Sequence, residues 1–137
     1  MANSSNLPRI LIKRALEKII TSELNIKLVD QFKVGNKRDV QAWIISMTEE
    51  YERVQLNSRT LRANLSITID FFSEINETGV HQAIMDLIRV GPEHNLLKEF
   101  RISLIAPSSS ETQYNTEATE GAVVARVVLQ INYLMKD

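Results

Sequence analysis

The chain has no cysteine, only two histidines, and four glycines and three prolines spread over 137 residues. Without cysteine there can be no thiol nucleophile, disulfide framework, thiolate zinc site or iron–sulfur cluster. His81 and His94 are separated by Gly91-Pro92, and no His-x-x-x-His or His-Glu-x-x-His spacing places two imidazoles on one helical face. Gly35, Gly79, Gly91 and Gly121 are each isolated, which excludes Gly-rich and Walker-type phosphate loops. Serines are frequent, but Ser108-Ser109-Ser110 is a tract and no Gly-x-Ser-x-Gly elbow strains one of them into a nucleophile. Long apolar runs are missing too: the most apolar stretch, Gly121 to Leu129, is broken by Arg126 and falls far short of the roughly 20 residues of a membrane-spanning helix. Met1 to Asn6 is short and polar, so neither a signal peptide nor an anchor is expected there. Aromatic residues such as Tyr51, Phe71, Phe72 and Tyr114 are scattered or core-like rather than interleaved with basic residues, so a stacking platform for nucleic acid is not expected. The chain is therefore expected to be no enzyme and to need no cofactor and no metal.

What is present suits one compact domain over residues 1–137, with 44% hydrophobic and 24% charged residues. A chain of this length buries roughly two thirds of the surface its unfolded form exposes, enough for a core without cross-links. The formal charge of −1 conceals an asymmetry. Residues 1–38 carry eight basic against three acidic side chains, while the remainder carries eight against fourteen. Such a chain either presents one basic and one acidic surface or simply intersperses solvated charges.

Leu7 to about Leu24 reads as a first helix, with Asn6 a candidate cap and Pro8 in the first turn. Its apolar face is Leu11, Ile12, Ala15, Leu16, Ile19 and Ile20, and its basic face, Arg9, Lys13, Arg14 and Lys18, is either solvated or a docking face for a partner or a membrane surface. Ile26 to Val34 reads as a short strand, followed by a turn at Gly35-Asn36-Lys37. Val40 to about Glu52 reads as a longer strand with the apolar run Ala42-Trp43-Ile44-Ile45 that turns polar at Thr48-Glu49-Glu50 and projects past the sheet, and Asn57-Ser58 marks a tight turn. Leu61, Ala63, Leu65, Ile67, Ile69 and Phe71 then alternate with Arg62, Asn64, Ser66, Thr68 and Asp70. A second helix is expected from about Val80 to Val90, stopped by Gly91-Pro92. Phe100, Ile102 and Leu104 mark a fourth strand ending at Ala106-Pro107. Residues 107–120 read as a long mobile loop, and Ala122 to Met135 as the last strand. With residues 1–6 expected to be disordered, this order predicts an α+β fold: a mostly antiparallel (mixed) sheet of about five strands with two helices packed on one face.

Glu49, Glu50 and Glu52 form a carboxylate cluster with no candidate nucleophile beside it, so they read as a solubilising or partner-binding edge rather than as general acids. A projecting arm and a long loop are liabilities in a monomer and natural contact surfaces in an oligomer. The candidate interface residues are Glu49, Glu50, Tyr51, Glu52, Arg53, Asn57, Arg59, Ser109, Tyr114 and Glu117.

Leu56-Asn57-Ser58-Arg59-Thr60 running into Ala63, Leu65, Ile67, Ile69 and Phe71, the acidic Glu49-Glu50-Tyr51 strand end, and the closing Val127-Leu129-Ile131-Tyr133 resemble the bacteriophage tail terminator family. That resemblance covers nearly the whole chain as element order. It implies a homohexameric ring that caps the tail tube, stops its polymerisation and offers a docking surface to the head. The implied partners are further copies of the chain, the tail tube protein and a head-completion or connector protein, with no membrane and no sequence-specific nucleic acid, although DNA would pass through the ring. The implied location is the virion tail, and the host bacterial cytoplasm during assembly. A neck or baseplate component would have the same subunit architecture, and the alternative from a different class is a small-molecule-binding or metabolic α+β domain of a bacterial protein.

Overall fold

The computed structural model describes residues 8–32, 39–56, 59–114 and 122–135. Helix α1 (Pro8–Lys18) continues into a π-helical turn (Ile19–Glu23) and is followed by β1 (Lys27–Leu28). Strands β2 (Gln41–Arg53) and β3 (Leu61–Ser73) form a hairpin, and α2 (Glu77–Ile88) leads through a 3-10 turn (Lys98–Phe100) to a second hairpin of β4 (Ile102–Tyr114) and β5 (Val123–Met135). The sheet order is β1-β2-β3-β5-β4. The β1–β2 pairing is parallel and the other three are antiparallel. The fold is α+β, with two helices and a mixed five-stranded sheet.

The alternation in β3 and β5 has its expected consequence. Ala63, Leu65, Ile67, Ile69 and Phe71 lie opposite Tyr133, Ile131, Leu129, Val127 and Ala125, and all ten are buried. Ile12, Leu16, Ile19 and Ile20 from the first helical segment, and Val80, Ala83, Ile84 and Leu87 from α2, join the same core. Both helices therefore cover one face of the sheet. Burying each large aliphatic side chain there contributes about 1.5–3 kcal/mol before chain entropy is set against it.

Helix boundaries depart from expectation for local reasons. The hydroxyl of Thr21 donates to the Glu17 carbonyl at 2.9 Å, competing with the backbone bond of that turn where the α-helix widens to a π turn. The helical segment then ends at Asn25, which adopts φ 56, a left-handed conformation that asparagine tolerates better than most residues. Helix α2 starts three residues earlier than Val80 because Asn76 caps it, its side-chain oxygen accepting from the Gly79 N–H at 2.9 Å.

Three strand readings are corrected. Among the described residues the first strand is only Lys27–Leu28 of the expected Ile26 to Val34, whose last two residues lie outside them, and Phe32 instead turns onto Trp43 and Phe72. The end of β2 does not project as an arm: Glu49 to Arg53 pair with Leu65 to Leu61, which pair in turn with Ile131 to Met135, so only the turn after Arg53 overhangs the sheet. Residues 107–114 are strand rather than loop, because β4 continues beside β5 as far as Tyr114↔Val123. An edge strand needs no apolar face to be held by ladder hydrogen bonds, and Pro107 is accommodated at that edge next to a register shift between Pro107 and Ser109. The expected disorder of residues 1–6, the turn at 35–37, the hairpin turn at 57–58 and the rest of the loop, 115–120, lie outside the described residues. Among the described residues no helix is long and apolar enough to cross a membrane.

Candidate interaction surface

The alternation that fills the core also sets what faces the other way. Trp43, Ser46, Thr48, Glu50 and Glu52 of β2, the even-numbered residues 62–72 of β3 and 124–134 of β5, and Leu104, Ala106, Ser109, Glu111 and Gln113 of β4 share the second face, which no helix covers among the described residues. A register shift between Ile44 and Ser46 moves inward facing from even to odd positions of β2, so Ala42 and Ile44, then Met47, Glu49 and Tyr51, point to the helices.

The bare face carries cross-strand charge pairs. Asp70 stands directly opposite Arg126, which stands opposite Glu111. Arg126 donates to both Asp70 carboxylate oxygens, at 2.8 and 3.2 Å, with the Asp70 side chain 8% and that of Arg126 50% exposed. This fork geometry fixes the guanidinium flat on the sheet. Arg62 and Glu52, also directly opposite, pair at 3.3 Å. At the β1 end, Phe32 stacks on Phe72 (centroids 4.9 Å apart) and meets Trp43 edge-on (5.4 Å), forming a small apolar cap on a face that mixes polar side chains with Val124, Val128, Leu134 and Leu104. The clefts along this face are open and lined mostly by polar side chains, one by Glu50, Glu52, Arg62, Asn64 and Asn132, another by Asp70, Glu111, Gln113 and Arg126 with Val124.

The helix-covered face contains a polar knot at its hairpin end. Glu49 accepts from the Tyr51 hydroxyl at 2.7 Å, from Arg9 at 3.2 Å and, on its other oxygen, from the Tyr133 hydroxyl. Arg9 also donates to the Tyr51 oxygen at 3.2 Å. The Glu49 side chain is only 5% exposed. Burial, reinforced by the bond to Glu49, holds the Tyr133 hydroxyl well above the usual phenol range, and the bond to Glu49 raises Tyr51 in the same direction. A carboxylate held by three donors is a structural tie between α1 and the sheet, and it leaves the buried Glu49 with little to offer a partner, whereas the Arg9 side chain is 46% exposed.

The other sequence-predicted positions are dispersed. Glu50 and Glu52 are exposed on the bare face, and Ser109 is exposed on the same face at the β4 edge. Arg53 ends β2 and Arg59 is exposed just before β3. Tyr114 closes β4 and donates to Glu77 at the start of α2 at 2.6 Å, which raises the Tyr114 hydroxyl and lowers the Glu77 carboxyl. In the basic helix face Lys13 pairs with Glu17 at 3.6 Å, while Arg14 and Lys18 are exposed. Asn57 and Glu117 lie outside the described residues. Asp70, Arg126 and Glu111 were not singled out from the sequence; opposite charges at outward positions of two alternating strands were the available signal, but their register was not.

Both long edges of the sheet are open among the described residues. β1 covers only the first residues of β2, and β4 has a single neighbour. No group of three or more histidine, aspartate or glutamate side chains able to hold a metal ion occurs among the described residues. No protein family matches the chain, and no curated protein resembles it in sequence.

Proposed function

We propose that this chain is a structural subunit of a phage or prophage tail, a tail terminator that assembles into a ring, caps the tail tube, stops its polymerisation and presents the surface on which the head docks. It acts by shape and contact, not by catalysis. The observation that carries this reading is the one-sided sheet: four strands of thirteen residues each, packed by helices on one face and, on the other, free of helices and fixed by cross-strand charge pairs. A helix-free sheet face of this kind is suited to line a channel, and its two open edges are unlike, so contacts between copies would be heterologous and would close into a ring where the rotation per subunit is 60°. The resemblance in element order to tail terminators supports the same assignment.

Native mass spectrometry of the concentrated protein, alone and with its tail tube protein, tests the proposal. The expected result is a six-subunit species and tubes that stop lengthening when it is added. A persistent monomer in both conditions, with tube length unchanged, overturns it.

A further inference from the structure

The turn beyond β2 carries the most exposed large apolar residue of the described chain: Leu56 is 94% exposed, and Val54 behind it is 40% exposed. Arg53 and Arg59 flank this turn, and residues 53–59 contain no acidic side chain. The Val54 N–H bonds the Thr60 carbonyl at 3.3 Å, which joins the two chain segments on either side of Leu56.

A groove of complementary character lies elsewhere on the same chain. Between the π-helical turn and the end of α2, Ile19, Leu24, Val90 and Gly91 line an open depression of about 240 Å³. Its rim carries Glu23, Asp86 and Glu93 against one arginine, Arg89. His94 completes the rim: its Nδ1 accepts from the Leu96 N–H at 3.0 Å, so its proton sits on Nε2, which faces Glu23 Oε1 at 2.9 Å. The groove is thus apolar at its floor and negative at its edge. The turn is apolar at its tip and positive at its base.

The two cannot meet within one subunit. Leu24 lies just before β1, whose Lys27 pairs with Gln41 at the start of β2, whereas Leu56 lies beyond Arg53 at the other end of that strand. Thirteen residues of strand put about 40 Å between these ends.

We propose that the Leu56 turn of one copy of this chain docks into the Ile19–Val90 groove of a second copy, with the Arg53 and Arg59 side of the turn against the Glu23, Asp86 and Glu93 rim. The contact joins two different surfaces, so every subunit keeps one turn and one groove to offer, and the assembly grows head to tail until it closes. The inference rests on the ring-forming reading and names the contact that builds the ring.

The absence of cysteine makes the test clean. A Leu56→Cys/Val90→Cys double variant, oxidised and run on a non-reducing gel, is expected to give a ladder of covalent oligomers ending at the closed ring, since a disulfide requires Cα atoms within about 7 Å of each other. The same treatment of Leu56→Cys/Met85→Cys, whose second site is exposed on another part of α2, is expected to give none. A Leu56→Asp variant is expected to lose assembly while its thermal melting is unchanged, because the side chain has almost no contacts to lose. A wild-type ring by native mass spectrometry with no disulfide ladder in the first variant, or with equal ladders in both, overturns the docking proposal and leaves the ring reading standing. A wild-type monomer under the same conditions overturns both.

Discussion

The two faces of the sheet are built from the same strands, residue by residue, and differ in nearly everything else. Ile67 is fully buried under the helices; Thr68, the next residue, points to the bare side and is partly exposed. The covered face holds the fold together through apolar burial, with polar ties at Glu49 and between Tyr114 and Glu77. The bare face is held in shape by charge pairs such as Asp70–Arg126, which contribute little energy and fix geometry instead. The lesson is that stability and contact are separated by the strand period of two, so substitutions can address one without the other.

The sharpest way to break this contrast is inside the core. Ile67→Ala should cost about 2–5 kcal/mol, read as a lower denaturant midpoint, because the surrounding side chains from β5 collapse only partly into the space. If that variant unfolds at the wild-type midpoint, the helices do not press on this face. Next in size is the polar knot: Tyr133→Phe leaves the Glu49 carboxylate with one donor fewer and should cost about 1.5–3 kcal/mol, the usual worth of a hydrogen bond to a charged group. It also predicts a pH effect. The folded protein holds the Tyr133 proton above the ordinary phenol value of about 10, so the unfolded chain releases it first, and stability complete below pH 10 declines as the pH rises above it. Denaturation midpoints between pH 9 and 11 should fall more steeply for the wild type than for Tyr133→Phe; Tyr51, shifted in the same direction, keeps part of the slope in the variant.

On the bare face the expected effects shrink. Asp70→Asn removes a forked pair whose arginine is half exposed, and should cost about 1 kcal/mol at low ionic strength and less in 1 M salt. A salt-independent loss would mean that Asp70 acts through packing. Thr68→Ala should stay within about 0.5 kcal/mol of the wild type. A large loss there would show that the second face is covered after all.

Much of the fold is legible in the sequence, because the apolar periods of β3, β5 and the two helices are long and regular. Leu61 to Phe71 needs no partner to reveal which side is buried. The polar half of β4 is the opposite case: Ser108 to Gln113 has no apolar period, and only the thirteen-residue alternation of β5 beside it turns it into a strand. β2 hides its facing because the shift at Ile44/Ser46 exchanges odd for even, so the inward positions Ala42 and Ile44 do not foretell that Met47 and Glu49 face the helices while Thr48 and Glu50 face away. The candidate surface was half visible for the same reason. Outward polar residues could be named from β3 and β5, but pairing Asp70 with Arg126, or setting the Leu56 turn against a groove between Ile19 and Val90, depends on register and helix placement that no local pattern carries.

We propose a closed ring in which the copies meet through unlike surfaces and the bare face lines the channel. Electron microscopy of the concentrated protein tests it most directly. Closed rings with a central channel, uniform in subunit number, are the expected result; fields of single subunits, or open filaments that never close, would contradict it.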